Sequence, residues 1–234
     1  DYKETIFAIQ YAETSAETSN RFIFWFAPHT SGGNVTTRAN INIIGAGWNQ
    51  PTDDLIDAFE VGDKRKAVSI GYWNGKDWDN QIRPIAYVGK YKPPIADPND
   101  RCSDNLPILR YSDILLMQAE VLNQQGKLAE ATTFVQQVRN RAGLVTPITA
   151  TSKAAMEVLI AKERQVEFCF ENQRWYDLKR TGKAIEVITK HGKREAANKP
   201  YLYDQAYNIT ENKLLAPIPV NEVSVNKLTQ NPGY

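Results

Sequence analysis

The run Glu163-Arg164-Gln165-Val166-Glu167-Phe168-Cys169-Phe170-Glu171, with Arg174-Trp175-Tyr176-Asp177-Leu178 close behind it, decides how this 234-residue chain is read. On a helical wheel of about 100° per residue, Met156, Val166 and Phe170 fall within about 60° of Leu159, which makes an apolar stripe of helical period. Glu163 lies inside that stripe, with Glu167 and Arg174 on its rim. A carboxylate aimed at a core is costly unless a cation meets it there. The sequence therefore predicts a structural ion network joining Glu163 and Glu167 to Arg110, Arg139, Arg141 and Arg174. Two carboxylates one turn apart could instead serve as catalytic acid and base, but so many arginines favour the structural use.

Upstream, Leu109 to Gln125 reads as a helix with Tyr111, Leu115, Ala119 and Leu122 on one stripe. Ile114, Met117 and Val121 lie on its far side, so it is predicted to be a central helix buried on two faces. After Gly126-Lys127, the residues Leu128, Ala131, Val135, Val138 and Ala142 recur at three- and four-residue steps and predict a second helix, ended by Gly143. The pair should form an antiparallel hairpin. Ala119, Gly126 and Ala131 fall at the spacings of a tetratricopeptide repeat.

Composition sets the outer limits. The chain is 42% hydrophobic and 24% charged with a net charge of +1, enough apolar material for a sizeable core and no global charge that would draw it to nucleic acid or an anionic membrane. No apolar run reaches the length of a membrane span, and Asp1-Tyr2-Lys3-Glu4 is no signal peptide. Cys102 and Cys169 do not settle a redox compartment. His29 and His191 lack the spacing of a metal site or a triad, so neither a metal nor a cofactor is expected.

Before residue 106 the chain is loop-rich and aromatic. Thr5 to Tyr11 reads as a strand whose partner the sequence does not reveal, and Arg21-Phe22-Ile23-Phe24-Trp25-Phe26 as a buried strand or a binding loop. Gly45-Ala46-Gly47-Trp48-Asn49-Gln50-Pro51 is a turn-rich approach to a short helix from Thr52 to about Glu60, and it lacks the Gly-Lys-Ser/Thr of a phosphate loop. A strand near Val68 to Tyr72 then leads to Trp73-Asn74-Gly75-Lys76-Asp77-Trp78, read as a hairpin tip. Residues 93–107 read as a linker. At the other end, Ala184 to Thr189 is expected as a short helix, Gly192 to Asn198 as a charged loop, and the proline-marked Leu214 to Pro219 as extended chain. Trp175, inside the helical motif, is expected in the core.

Six ordered blocks resemble the SusD/RagB family. They are Pro51-Thr52 with Leu55, Phe59 and Asp63-x-Arg65; Pro107 to Met117 through Ala119-Glu120; Val138-Arg139-Asn140-Arg141-Ala142-Gly143; Glu163 to Leu178; Pro217-Ile218-Pro219; and Gln230-Asn231-Pro232-Gly233-Tyr234. The resemblance implies a mostly α fold of tetratricopeptide-like hairpins with loop-rich segments and a few short strands. Within it, residues 1–105 would be the ligand-facing segment, 106–190 the helical scaffold, and 191–234 an extended tail packing on the helices. It also implies a non-enzymatic protein at the surface of the outer membrane, which captures glycan and delivers it to a SusC-type TonB-dependent transporter. In length the chain resembles the C-terminal half of a member, so its own N-terminal half, with the lipid anchor, is an expected partner.

Flat indoles suit the apolar faces of pyranose rings, and Trp48, Trp25, Trp73 and Trp78 are the expected ligand contacts. Two rival functions stand beside glycan capture. One is a helical-repeat module that binds protein or peptide. The other is a glycoside hydrolase using Glu163 and Glu167, which would need an open cleft around that pair.

Overall fold

The computed structural model describes residues 4–12, 14–15, 17–36, 45–77, 79–91, 101–203 and 205–234. Trp78 and most of the 93–107 stretch lie outside these. The chain forms two compact units, Asp1–Asn172 and Gln173–Tyr234.

In the first unit, β1 (Thr5–Ile9) is followed by the short helices α1 (Phe22–Phe26), α2 (Gly33–Thr36), α3 (Asp53–Ala58) and α4 (Lys64–Ser69). A hairpin of β2 (Ile70–Lys76) and β3 (Ile82–Val88) comes next, then β4 (Leu106–Arg110), α5 (Tyr111–Gln124), α6 (Leu128–Arg141) and α7 (Lys153–Glu167). The partner of the first strand is β4, antiparallel, with Thr5 opposite Arg110 and Ile9 opposite Leu106. Residues 106–110 are thus strand, where the sequence reading has linker and the first turn of a helix. Pro107 tolerates the edge of a two-stranded ladder, and pairing with β1 delays the helix to Tyr111.

The core is the packing of α5, α6 and α7. Leu115, Leu116, Ala119 and Leu122 meet Ala131, Val135 and Val138, with Met156, Ile160 and Phe168 closing the cluster. Ala119 and Ala131 are completely buried, which lets the two helices of the hairpin approach closely. Gly126, at φ +77°, makes the turn between them in a conformation that glycine adopts at no steric cost. Within the first unit, among the described residues, one face of α5 is covered. Tyr111, Ile114, Met117 and Val121 are exposed, contrary to the expectation of two buried faces.

Several local readings also change. The 21–26 run is a helix and not a strand, a window too short for its period to decide. Residues 64–69 are helical, started by Asp63, whose side chain accepts from Arg65 N. The Asn74-Gly75 pair lies within β2, opposite Pro84 and Arg83, and the chain reverses at Asp77–Gln81, where Asp77 N donates to Gln81 O at 3.0 Å. Phe170 follows the end of α7 in a left-handed conformation at φ +67°, so its place on the wheel has no meaning.

The second unit contains α8 (Arg174–Arg180), α9 (Ala184–Asn198), a 3-10 turn (Glu211–Leu214) and α10 (Val220–Asn226). Residues 192–198 continue α9 and are not a loop; Glu195 within them is buried against Lys199 at 2.5 Å. The end of the chain folds across its own proline segment. Gln230 accepts from Ile218 N and donates back to Ile218 O, and Asn231 donates to Ala216 O. The tail is therefore extended only up to Pro219, with a helix beyond it. Trp175 is half-buried and not core, with the Lys179 ammonium 5.7 Å from its ring centre.

Candidate functional site

Two arrangements in the first unit draw together the residues singled out by the sequence: an aromatic array on α1 and a charge network around the end of α7.

The array begins with a short helix pinned at its start. Asn20 and Cys102 exchange backbone hydrogen bonds at 3.0 Å, and the Asn20 side chain accepts from Phe22 N at 3.2 Å. Ile23 and Phe24 turn inward against Cys102 and Val35, which leaves Phe22, Trp25 and Phe26 on the other side. The chain then returns along α1 at residues 45–48. Ala46 N donates to Phe24 O, Gly47 N to Ala27 O and Trp48 N to Trp25 O, all within 2.9 Å. Glycine is required for this approach, since a Cβ on Gly45 would sit 2.2 Å from Ala27 O. Gly47, at φ +71°, then turns the chain so that Trp48 reaches Trp25.

The two indoles stack with centroids 6.0 Å apart and planes 29° apart. Trp25 is 38% exposed and Trp48 59%, so the pair offers a broad aromatic face to solvent. Behind it, Phe22 lies 5.8 Å from Trp25 and 4.9 Å from Tyr91. If Gly45 is what brings the pair together, Gly45→Ala should abolish the exciton signature of the coupled indoles in the circular dichroism spectrum, as Trp48→Phe should. An unchanged spectrum in Gly45→Ala would show that the backbone approach is dispensable.

Tyr91 ends the array at a cavity of about 660 Å³, whose walls include Lys90, Asn105, Arg110, Arg141, Glu167 and Glu171. The Tyr91 hydroxyl donates to Phe170 O at 2.9 Å, and Lys90 Nζ donates to Glu167 O at 3.0 Å. These donors satisfy carbonyls at the C-terminal end of α7, where the helix dipole favours cations.

Trp73 is not brought to the pair. It is half-buried on β2, its indole lying over Gly75, and its N–H is buried without a hydrogen-bond partner among the described residues. Trp78 lies outside those residues.

Among the described residues the charge network joins six cations to six carboxylates. Arg65 Nη1 reaches Glu163 at 2.6 Å and Glu167 at 3.0 Å, while its Nη2 meets Asp63 at 2.7 Å. Arg110 binds Glu4, Glu167 and Glu171, and Arg141 binds Glu4 and Glu167. Arg139 and Lys162 share Glu60, Arg139 also reaches Glu163, and Lys90 pairs with Glu171. Glu163 and Glu167 are both buried, Glu163 only 2% exposed.

Burial opposes the charge on Glu167, but Arg141 and Arg110 outweigh it and hold the carboxyl at about 2. On Glu163 burial wins over Arg65 and Arg139, and its carboxyl is pushed up. Arg174, expected in this network, belongs to the second unit, where burial lowers its pKa and Asp177 partly opposes that shift. Among the members that the helical pattern missed is Arg65. Its signal was Asp63-x-Arg65, where the aspartate both caps α4 and grips the guanidinium.

Cys102 and Cys169 are separate buried thiols. Among the described residues no group of His, Cys, Asp and Glu could hold a metal ion, and no helix is long and apolar enough to cross a membrane.

The sequence profile of the SusD family matches residues 87–234. The chain belongs to the SusD family. SusD-like protein P38 of Formosa agariphila is 38% identical over 148 residues, covering 60% of this chain and 28% of that protein. Among solved structures, surface glycan-binding protein A from Bacteroides fluxus superposes with a TM-score of 0.73 at 26% identity, covering 99% of this chain and 51% of its own. The Bacteroides thetaiotaomicron surface glycan-binding protein A in complex with laminarihexaose gives 0.72 at 23% identity, covering 97% and 52%, a likeness of fold. The chain thus spans about half or less of the length of these relatives. The mostly helical, loop-rich SusD-like architecture expected from the sequence is the one found.

Proposed function

We propose that this chain is part of a cell-surface glycan-capture protein in which Trp25 and Trp48 form the sugar platform. The stacked, solvent-facing indole pair carries the reading. An exposed indole pair whose backbone is held by three hydrogen bonds is pre-organised to stack on a pyranose ring, so little ordering entropy opposes binding. Membership of a family that includes surface glycan-binding proteins supports it. So does the charge network: Glu163 and Glu167 are held in multiple ion pairs, an arrangement suited to scaffolding rather than to acid–base turnover.

On this reading the whole protein, anchored by lipid at the outer-membrane surface, passes its glycan to a SusC-type TonB-dependent transporter. The part of the chain that precedes this sequence completes the fold. Trp73, folded over Gly75, contributes to the hairpin, and Trp78 is a secondary contact.

A glycan array on the full-length protein, followed by calorimetric titration of single variants with the best-bound oligosaccharide, tests this. Trp25→Ala and Trp48→Ala should each weaken binding by more than about tenfold, roughly 1.4 kcal/mol, with little change in melting temperature. Trp73→Phe should bind like the parent. Parental affinity in both Trp25→Ala and Trp48→Ala would remove this platform from the glycan site.

A further inference from the structure

The second unit carries aromatic residues that the indole platform does not use. Beyond α9 the chain turns back through short backbone hydrogen bonds: Leu202 N donates to Lys199 O, Ala206 N to Tyr203 O and Asn208 N to Gln205 O, all within 3.0 Å. These turns give the segment two sides. Leu202, Ala206 and Ile209 are half-buried, whereas Tyr201, Tyr203, Gln205, Tyr207 and Asn208 are exposed, Tyr203 by 88%. Among the described residues from 201 to 208, the outward side chains are therefore phenols and amides, with neither an aliphatic nor a charged group between them.

The helix beneath holds this segment in place. Tyr207 stands at φ +64°, a left-handed conformation that few bulky residues adopt. A Cβ on Gly192 would sit 2.5 Å from the Tyr207 Cβ, so the tyrosine seats where α9 has no side chain. His191 meets the Tyr207 ring edge-on at 4.9 Å, and Lys199, where the segment leaves the helix, is tied to the buried Glu195 at 2.5 Å. Lys213 Nζ closes the far end on Asn208 O at 2.8 Å. A glycine within a helix and a strained tyrosine both cost stability, and such costs collect where a segment must be presented to a ligand.

We infer that Tyr201, Tyr203 and Tyr207 form a second glycan contact, which stacks on neutral sugar rings while Gln205 and Asn208 hydrogen-bond their hydroxyls. The inference rests on the glycan-capture reading and adds to it a site apart from Trp25 and Trp48. Tyrosine offers a flat face and a hydroxyl at small entropic cost, and an amide supplies both donors and an acceptor to a polyol. A protein fits this surface less well, because interface centres also draw on Trp, Phe, Met and Arg, none of which lies between 201 and 208.

Affinity electrophoresis of the full-length protein through native gels, each containing laminarin, xylan, mannan or glycogen, tests the inference, with a gel lacking polysaccharide as the reference. Tyr201→Ala combined with Tyr203→Ala should bind about threefold more weakly or worse in at least one gel that retards the parent, at the parental melting temperature. Tyr203→Ala alone, at the most exposed of the three, should act in the same direction. Adding both tyrosine changes to Trp25→Ala with Trp48→Ala should remove further binding. Parental retardation of the tyrosine variant in every gel overturns the inference and leaves the segment to a protein partner. A weakened tyrosine variant beside a parental tryptophan variant upholds it and removes the indole platform from the glycan site. If none of the four polysaccharides retards the parent, this inference and the reading beneath it both fail.

Discussion

Replacing Glu167 by alanine is expected to destabilise the fold by about 3 to 5 kcal/mol, the range for removing one partner from a buried ion pair. The side chain of Glu167 meets Arg65, Arg110 and Arg141, and the first two of these guanidiniums are themselves largely shielded from water. With the carboxylate gone, Arg65 keeps Asp63 and Glu163, and Arg110 keeps Glu4 and Glu171, but these two shielded guanidiniums each lose one of the carboxylates that offset their burial. Arg110 also lies 5.0 Å above the Phe168 ring, with Arg164 at the same distance, so a displaced Arg110 disturbs the edge of the main core.

Glu163→Ala should act in the same direction by about 3 kcal/mol, because Arg139 and Arg65 lose the carboxylate between them. Urea denaturation measures both. Removing Glu163 and Arg139 together should cost less than the sum of the single changes, since each single change strands the other charge. An unchanged midpoint in Glu167→Ala would mean that the network contributes nothing to the native state.

What could be read from the sequence divides along a physical line. The α5–α6 hairpin and the arginine partners Arg110, Arg139 and Arg141 were legible, because helical period fixes which side chains share a face and an inward carboxylate demands a cation. Glu4, Glu60 and Arg65 were not placed with them. They reach the cluster from β1, from the turn after α3 and from α4, and contacts across 79 residues or more leave no periodic trace.

The indole pair was half legible. Trp25 and Trp48 stood out as aromatics in loop-like surroundings, but that they touch depends on Gly45 lying against Ala27, a backbone approach across 18 residues. The misread strand ends share one cause. Asn74-Gly75 is a strong turn signal taken locally, yet a seven-residue register between β2 and β3, with Trp73 folded over Gly75, outweighs it.

Acid should unfold this protein earlier than its composition alone suggests, and Glu167 should carry much of that sensitivity. Its folded carboxyl sits at about 2 against an ordinary 4.5, burial being overcome by Arg141 and Arg110. The folded state therefore binds fewer protons than the unfolded one. The resulting stabilisation is complete above about pH 4.5 and is lost as the pH falls towards 2; a displacement of this size corresponds to about 3 kcal/mol. Glu60, held at about 2 chiefly by its hydrogen bond from Arg139, adds to the loss over the same window, less strongly because its side chain is partly in water. Glu163 works in the opposite sense. Burial pushes its carboxyl up despite Arg65 and Arg139, so the folded state takes its proton first and recovers some stability as the pH begins to drop.

Denaturation midpoints from pH 7 to pH 2 should show Glu167→Gln starting lower than the parent and losing about 3 kcal/mol less on the way down, because the group that titrates is gone. Raising the ionic strength should weaken the Glu60 part, which is open to counterions, and leave the Glu167 part standing. Parallel pH profiles for the parent and Glu167→Gln would mean that Glu167 titrates alike in the folded and unfolded chain, and that the arginines around it do no more than offset its burial.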